Sequence, residues 1–140
     1  MALAQAKLAY RLFRARFAGP RWDALARAGA HPQRPLWAST STKDPDYPDT
    51  AYIDNLIGPD TVNTLPEKAI AAFEDHGRVH RTIDAGVQDA AQSMERLAAL
   101  GIDMDDVGTT LEEQGVASFQ ESFAHVRAAL EAKVAKPAHS

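Results

Sequence analysis

Ser39 and Lys43 are the residues best suited to chemistry by type and spacing. They lie where a short apolar run, Pro35-Leu36-Trp37-Ala38, gives way to Ser39-Thr40-Ser41-Thr42. A hydroxyl and a cation beside exposed backbone N–H groups suit a phosphate dianion, because all of them donate hydrogen bonds and the cation offsets charge. Each also has a plainer reading. Ser39 fits a residue that opens a turn. Lys43 beside Asp44 fits a solvated surface pair that contributes little. The histidines are His31, His76, His80, His125 and His139. His76 and His80 have the i, i+4 spacing of a zinc pair on one helix. Gly77 between them predicts that the helix stops, and no carboxylate follows in a metalloprotease arrangement. No metal site and no cofactor is expected. Cysteine is absent, which excludes disulfides, thiolate metal sites and cysteine nucleophiles.

The elements around these residues follow from periodicity. Leu3, Ala6, Tyr10, Phe13 and Phe17 recur at three- and four-residue steps, which predicts a helix over 2–17 with one apolar stripe. Lys7, Arg11 and Arg14 line its other face. Gly19-Pro20 interrupts it, and a second helix is predicted over 22–28 with Gly29 as its stop. A buried strand is predicted near 35–39, a loop over 40–48 and a short helix over 50–56. Thr61 to Leu65 is β-branched and short, which predicts a second strand. Pro66 suits the start of a helix over 66–74. Trp37, in an apolar strand, is expected to be core. Asn63 flanks the second strand end and is assigned no catalytic role. Helices are then predicted over 89–100 with Gly101 as a stop, over 104–113 with Gly115 as a stop, and over 119–133. The last carries Phe119, Phe123, Val126 and Leu130 on one face. Residues 135–140 are expected to fray.

The order strand, helix, strand, helix implies parallel pairing in an α/β fold with mostly helical content. Two short parallel strands do not make a stable sheet by themselves. The sequence therefore predicts a single partial domain over 1–140, with βα units over 1–78 and C-terminal helices over 79–140. Charge is divided as well. Residues 1–43 carry eight Lys or Arg and one acid, while residues 44–140 carry seven bases and eighteen acids. Such a division fits a basic arm for nucleic acid or membrane, or a piece of a larger fold balanced by other segments. No apolar run is long enough to span a membrane.

At residues 34–66 the sequence resembles a known family. Arg34-Pro35-Leu36-Trp37-Ala38-Ser39-Thr40-Ser41-Thr42-Lys43-Asp44-Pro45 is similar to the seventh-strand segment of long bacterial transaldolases. Tyr52-Ile53-Asp54-Asn55-Leu56-Ile57-Gly58-Pro59-Asp60-Thr61-Val62-Asn63-Thr64-Leu65-Pro66 continues the similarity through the eighth strand. Weaker matches flank it at Ala6 to Tyr10, Gly19 to Trp22, Leu100 to Asp103 and Leu111 to Val116. The resemblance implies the C-terminal third of the enzyme: strands seven and eight of a (β/α)₈ TIM barrel with their helices, plus a C-terminal helical segment. It implies transfer of a dihydroxyacetone unit between sugar phosphates in the pentose phosphate pathway, through a Schiff-base lysine on the fourth strand. It also implies that Ser39 and Lys43 hold the substrate phosphate.

The lysines here are Lys7, Lys43, Lys68, Lys133 and Lys136, and none lies inside an apolar strand. The expectation is a chain without the Schiff-base lysine and without catalysis of its own. Its expected partners are a sugar phosphate and either the missing N-terminal barrel half or a second copy of the chain. The alternative is a non-catalytic helical binding or oligomerisation module derived from a transaldolase. Nucleic-acid and membrane partners are not expected, since the match through Lys7 to Tyr10 favours a barrel helix. A cytoplasmic location is expected.

Overall fold

The structure is a computed structural model that describes residues 1–135. The chain divides into two units, Met1–Arg96 and Leu97–Ser140. In the first, α1 spans Ala2–Arg16 and α2 spans Pro20–Arg27. The apolar stripe of α1 turns inward. Tyr10 is 2% exposed and joins Leu56 and Ile83 in the core, with Leu3, Ala6, Phe13 and Trp37 packed around them. Burying each large side chain stabilises the unit by about 1.5–3 kcal/mol. The Tyr10 hydroxyl donates to the Pro59 carbonyl at 3.1 Å, so its polar end is satisfied.

Lys7 does not simply face water. Its Nζ donates to the carbonyl oxygens of Thr82 at 3.0 Å and Ala85 at 2.7 Å, tying α1 to the segment before α5. Phe13, Phe17 and Trp22 stack in sequence at centroid separations of 5.1 and 4.7 Å, which fastens α2 to the end of α1. At the end of α2, Gly29 has φ +92, Gly29 N–H donates to Ala26 and Ala30 N–H donates to Leu25. This is a Schellman closure, and it requires the left-handed conformation that glycine adopts without strain.

Two strands follow, β1 (Leu36–Trp37) and β2 (Val62–Asn63), joined through α3 (Ala51–Asp54). They pair in parallel, Leu36 with Val62 and Trp37 with Asn63. The ladder continues just beyond them, with Val62 N–H donating to Pro35 and Thr64 N–H to Trp37. Both strands are shorter than the sequence predicts, and each has an unpaired edge among the described residues. Alternation puts Trp37 towards the helices and leaves Leu36 on the other face, 53% exposed.

Helices α4 (Glu67–His76) and α5 (Val87–Ala99) complete this part of the chain. Between them, Thr82 acts as a fastener. Its hydroxyl donates to the Asp54 carbonyl at 2.7 Å and accepts from Ile57 N–H at 3.1 Å. Asp54 in turn accepts from Thr50 Oγ1 and Arg78 N–H, both at 2.8 Å. These bonds draw residues 78–83 onto α3 and seat Ile83, which is 0% exposed, in the core.

In the second unit, Gly101 has φ +81 and closes α5 by the same Schellman pattern, through Gly101 N–H to Ala98 and Ile102 N–H to Leu97. Asp103 then caps α6, its carboxylate accepting from Asp105 N–H at 2.9 Å. Here the structure corrects the sequence reading. Residues 104–113 and 119–133 are not two helices. They form one, α6, spanning Met104–Val134. Gly115 costs the helix about 1 kcal/mol in propensity, but its backbone stays helical and no proline interrupts Met104–Val134. The face bearing Phe119, Phe123, Val126 and Leu130 is continuous and exposed. Of the fraying expected over 135–140, residues 136–140 lie outside the described residues. No described helix is long and apolar enough to cross a membrane.

Candidate functional site: a loop and cleft after the first strand

The site begins where β1 ends. Ser39 has φ +57, a left-handed conformation that costs a non-glycine residue about 1–2 kcal/mol. The turn swings the chain off the line of the strand. Thr40 then points inward, 4% exposed, and its hydroxyl donates to Asn63 Oδ1 at 2.8 Å. That bond locks the end of β1 to the end of β2 and leaves Ser39 on the surface. The backbone N–H groups of residues 39–43 donate to no acceptor among the described residues. Successive N–H groups around a left-handed residue can converge on an anion.

This loop opens on a cleft of about 580 Å³ lined by residues 36–44 together with Ala2, Ala6, Tyr47, Tyr52 and Leu56. Ser39 and Lys43 both line it, so the structure brings the two predicted residues to one cavity. Asp44 Oδ1 accepts from Asp46 N–H at 3.0 Å, closing a local turn. Lys43 forms no ion pair among the described residues, with Asp44 or any other acid. Its charge is therefore available to a ligand. Trp37 lines the same cleft while packing on the core, and its indole N–H is buried without an acceptor among the described residues.

The loop is fastened at its far end by contacts that sequence reasoning missed. His76, the last residue of α4, places Nε2 2.9 Å from Asp49 Oδ1 and Nδ1 3.0 Å from Asp75 Oδ2. The hydrogen bond to Asp49, reinforced by the one to Asp75, raises the His76 pKa above its ordinary value. The same hydrogen bond lowers that of Asp49. Gly77 is extended and ends the helix, so His76 and His80 do not share a helical face. No group of three metal-ligating side chains gathers among the described residues.

Four of the five lysines lie among the described residues. A Schiff-base lysine needs a desolvated amine that is free near neutral pH. Lys43, Lys68 and Lys133 are exposed, and Lys7 is held by two carbonyls. None of these four sits in a dry pocket at a strand end. Lys136 lies outside the described residues.

Comparison with known proteins places the chain in a family. Residues 1–130 match the family described as Transaldolase/Fructose-6-phosphate aldolase. A transaldolase of Frankia alni is 57% identical over 123 residues, covering 87% of this chain and 33% of that protein. One from Acidothermus cellulolyticus is 53% identical over 130 residues, covering 92% and 35%. One from Renibacterium salmoninarum is 46% identical over 143 residues, covering 99% and 38%. The chain thus spans about a third of the length of these curated relatives. With a match that runs through the cradle, both strands and nearly all of the helices, the chain belongs to the transaldolase/fructose-6-phosphate aldolase family.

Proposed function

We propose that this chain supplies the phosphate-binding side of a transaldolase and does not catalyse dihydroxyacetone transfer alone. The observation that carries the reading is the loop after β1: left-handed Ser39, five backbone N–H groups and Lys43 with no partner among the described residues, and the cleft that residues 39–43 line. Hydrogen-bond donors and a fixed cation hold a sugar phosphate in place but make no carbon–carbon bond. In this reading β1 and β2 are the seventh and eighth strands of a (β/α)₈ barrel. The exposed face of Leu36 and the unpaired strand edges are where the other strands dock. The partner is then the N-terminal barrel half, and the setting is cytoplasmic sugar-phosphate metabolism. Titration of the chain with inorganic phosphate, followed by the backbone amide signals, tests the assignment. Shifts should concentrate on residues 39–43 and weaken several-fold in Lys43→Ala, since charge-assisted bonds are the strong ones. Shifts spread over the basic face of α1 instead would refute it.

A second reading is favoured by α6. Phe119 and Phe123 are 81% and 69% exposed, on a helix with no buried residue. A helical module that binds through this stripe would need no sugar phosphate. It predicts that truncation before Val116 abolishes association in solution while leaving phosphate binding intact.

A further inference from the structure

The contacts around His76 carry a claim about the phosphate loop, and it rests on the phosphate reading of residues 39–43. We propose that His76 is a positioning residue whose imidazolium clasps the loop at Asp49 and so sets the geometry of the Ser39–Lys43 cradle. The loop leaves β1 at Ala38 and enters α3 at Ala51. One end is held by Thr40 on Asn63. The other is held by Asp49 on His76, beside the buried Thr50, which donates to Asp54. Lys43 lies between these two anchors. Its nearest internal ties are weaker: a Thr42 hydroxyl contact to Pro48 at 3.3 Å and the Asp44 turn.

The clasp needs a proton. Asp49 and Asp75 are both carboxylates and can only accept, so His76 must donate from both ring nitrogens. A neutral imidazole has one N–H and can serve one of them. Deprotonation therefore forces a choice between the loop carboxylate of Asp49 and Asp75 on its own helix. The sequence neighbour is the easier partner to keep, so the loop is the contact released. The other charged groups around this pocket are Asp54 on α3, already bonded to Thr50 and Arg78 N–H, with Arg78 and His80 in the segment after α4. Asp54 supports the cationic form of His76, whereas Arg78 and a protonated His80 oppose it.

Sulfate is the appropriate probe, because it stays a dianion where phosphate would itself titrate. Its affinity for the full chain is measured between about pH 5.5 and pH 8.5, the range in which histidine changes charge. The wild-type chain should lose affinity as pH rises, by no more than about fivefold, the ceiling for an exposed ion pair. Both His76→Gln and Asp49→Asn should flatten this loss. Asp49→Asn retains the histidine cation beside Asp75 but removes the loop carboxylate. If its profile still follows the wild type, His76 acts only as a distant charge and the clasp is overturned. An unchanged profile in His76→Gln overturns it too. Amide signals of residues 41–50 in the unsubstituted chain give an independent reading without any ligand. They should follow the titration of the His76 ring, and a loop that ignores that titration contradicts the clasp. If sulfate does not bind at all, the phosphate reading fails, while these amide signals still decide whether His76 positions the loop.

Discussion

Replacing Gly115 with alanine distinguishes a continuous α6 from two helices meeting at a stop. In the structure Gly115 lies inside Met104–Val134 with helical backbone geometry, and a Cβ built there meets no heavy atom within 4 Å. The substitution then adds helix propensity without a clash, a gain of about 0.8–1 kcal/mol. Gly101 provides the contrast. It also has open space around a built Cβ, but its φ is +81, so alanine there costs about 1–2 kcal/mol. The two variants should move in opposite directions in urea unfolding followed by the helical signal, Gly115→Ala to a higher midpoint and Gly101→Ala to a lower one. A lower midpoint for Gly115→Ala would show that residue 115 needs the left-handed conformation, and the single helix would be wrong.

Two further predictions concern the first unit. Gly58→Ala would drive a Cβ into Cγ2 of Ile83, a side chain with no exposed surface. Overpacking of this kind should destabilise by about 1–3 kcal/mol, seen as a lower thermal midpoint, and an unchanged midpoint would mean that the core is looser than described. The stabilisation from His76 and Asp49 should also have a pH window. The raised His76 value makes its contribution full below 6.5 and lost as pH rises through the folded value. The lowered Asp49 value makes its contribution full above 3.8 and lost as pH falls through the folded value. The difference in melting temperature between the wild type and His76→Gln should therefore be greatest between those limits and fade on both sides. A difference independent of pH would rule out an ionic origin.

The local features of this chain were readable from its sequence. The stripe of α1 and the glycine stops at 29 and 101 follow from residues close together in the chain, and the parallel order of the strands follows from the helix between them. Gly115 was misread because a glycine stops a helix only when the backbone beyond it leaves the helical region. Gly101 precedes the Asp103 cap and has that context, while Val116-Ala117-Ser118-Phe119 continues the helix. Ser39 and Lys43 are singled out by the motif that surrounds them. What keeps them in place was hidden, because it is long-range. Thr40 and Asn63 are 23 positions apart, and Asp49 and His76 are 27. No local periodicity signals that a threonine in a hydroxyl-rich loop will be buried, or that a helix-ending histidine will meet a loop carboxylate.

The proposed division of labour, phosphate binding here and bond chemistry elsewhere, is tested most directly by reconstitution. The chain is mixed with a fragment of a related transaldolase that carries the first six strands, and dihydroxyacetone transfer from fructose 6-phosphate is measured. Activity should appear only in the mixture, and Lys43→Ala should raise the KM for the sugar phosphate more than it lowers kcat. A stably associated but inactive mixture, or transfer by this chain alone, would contradict the account.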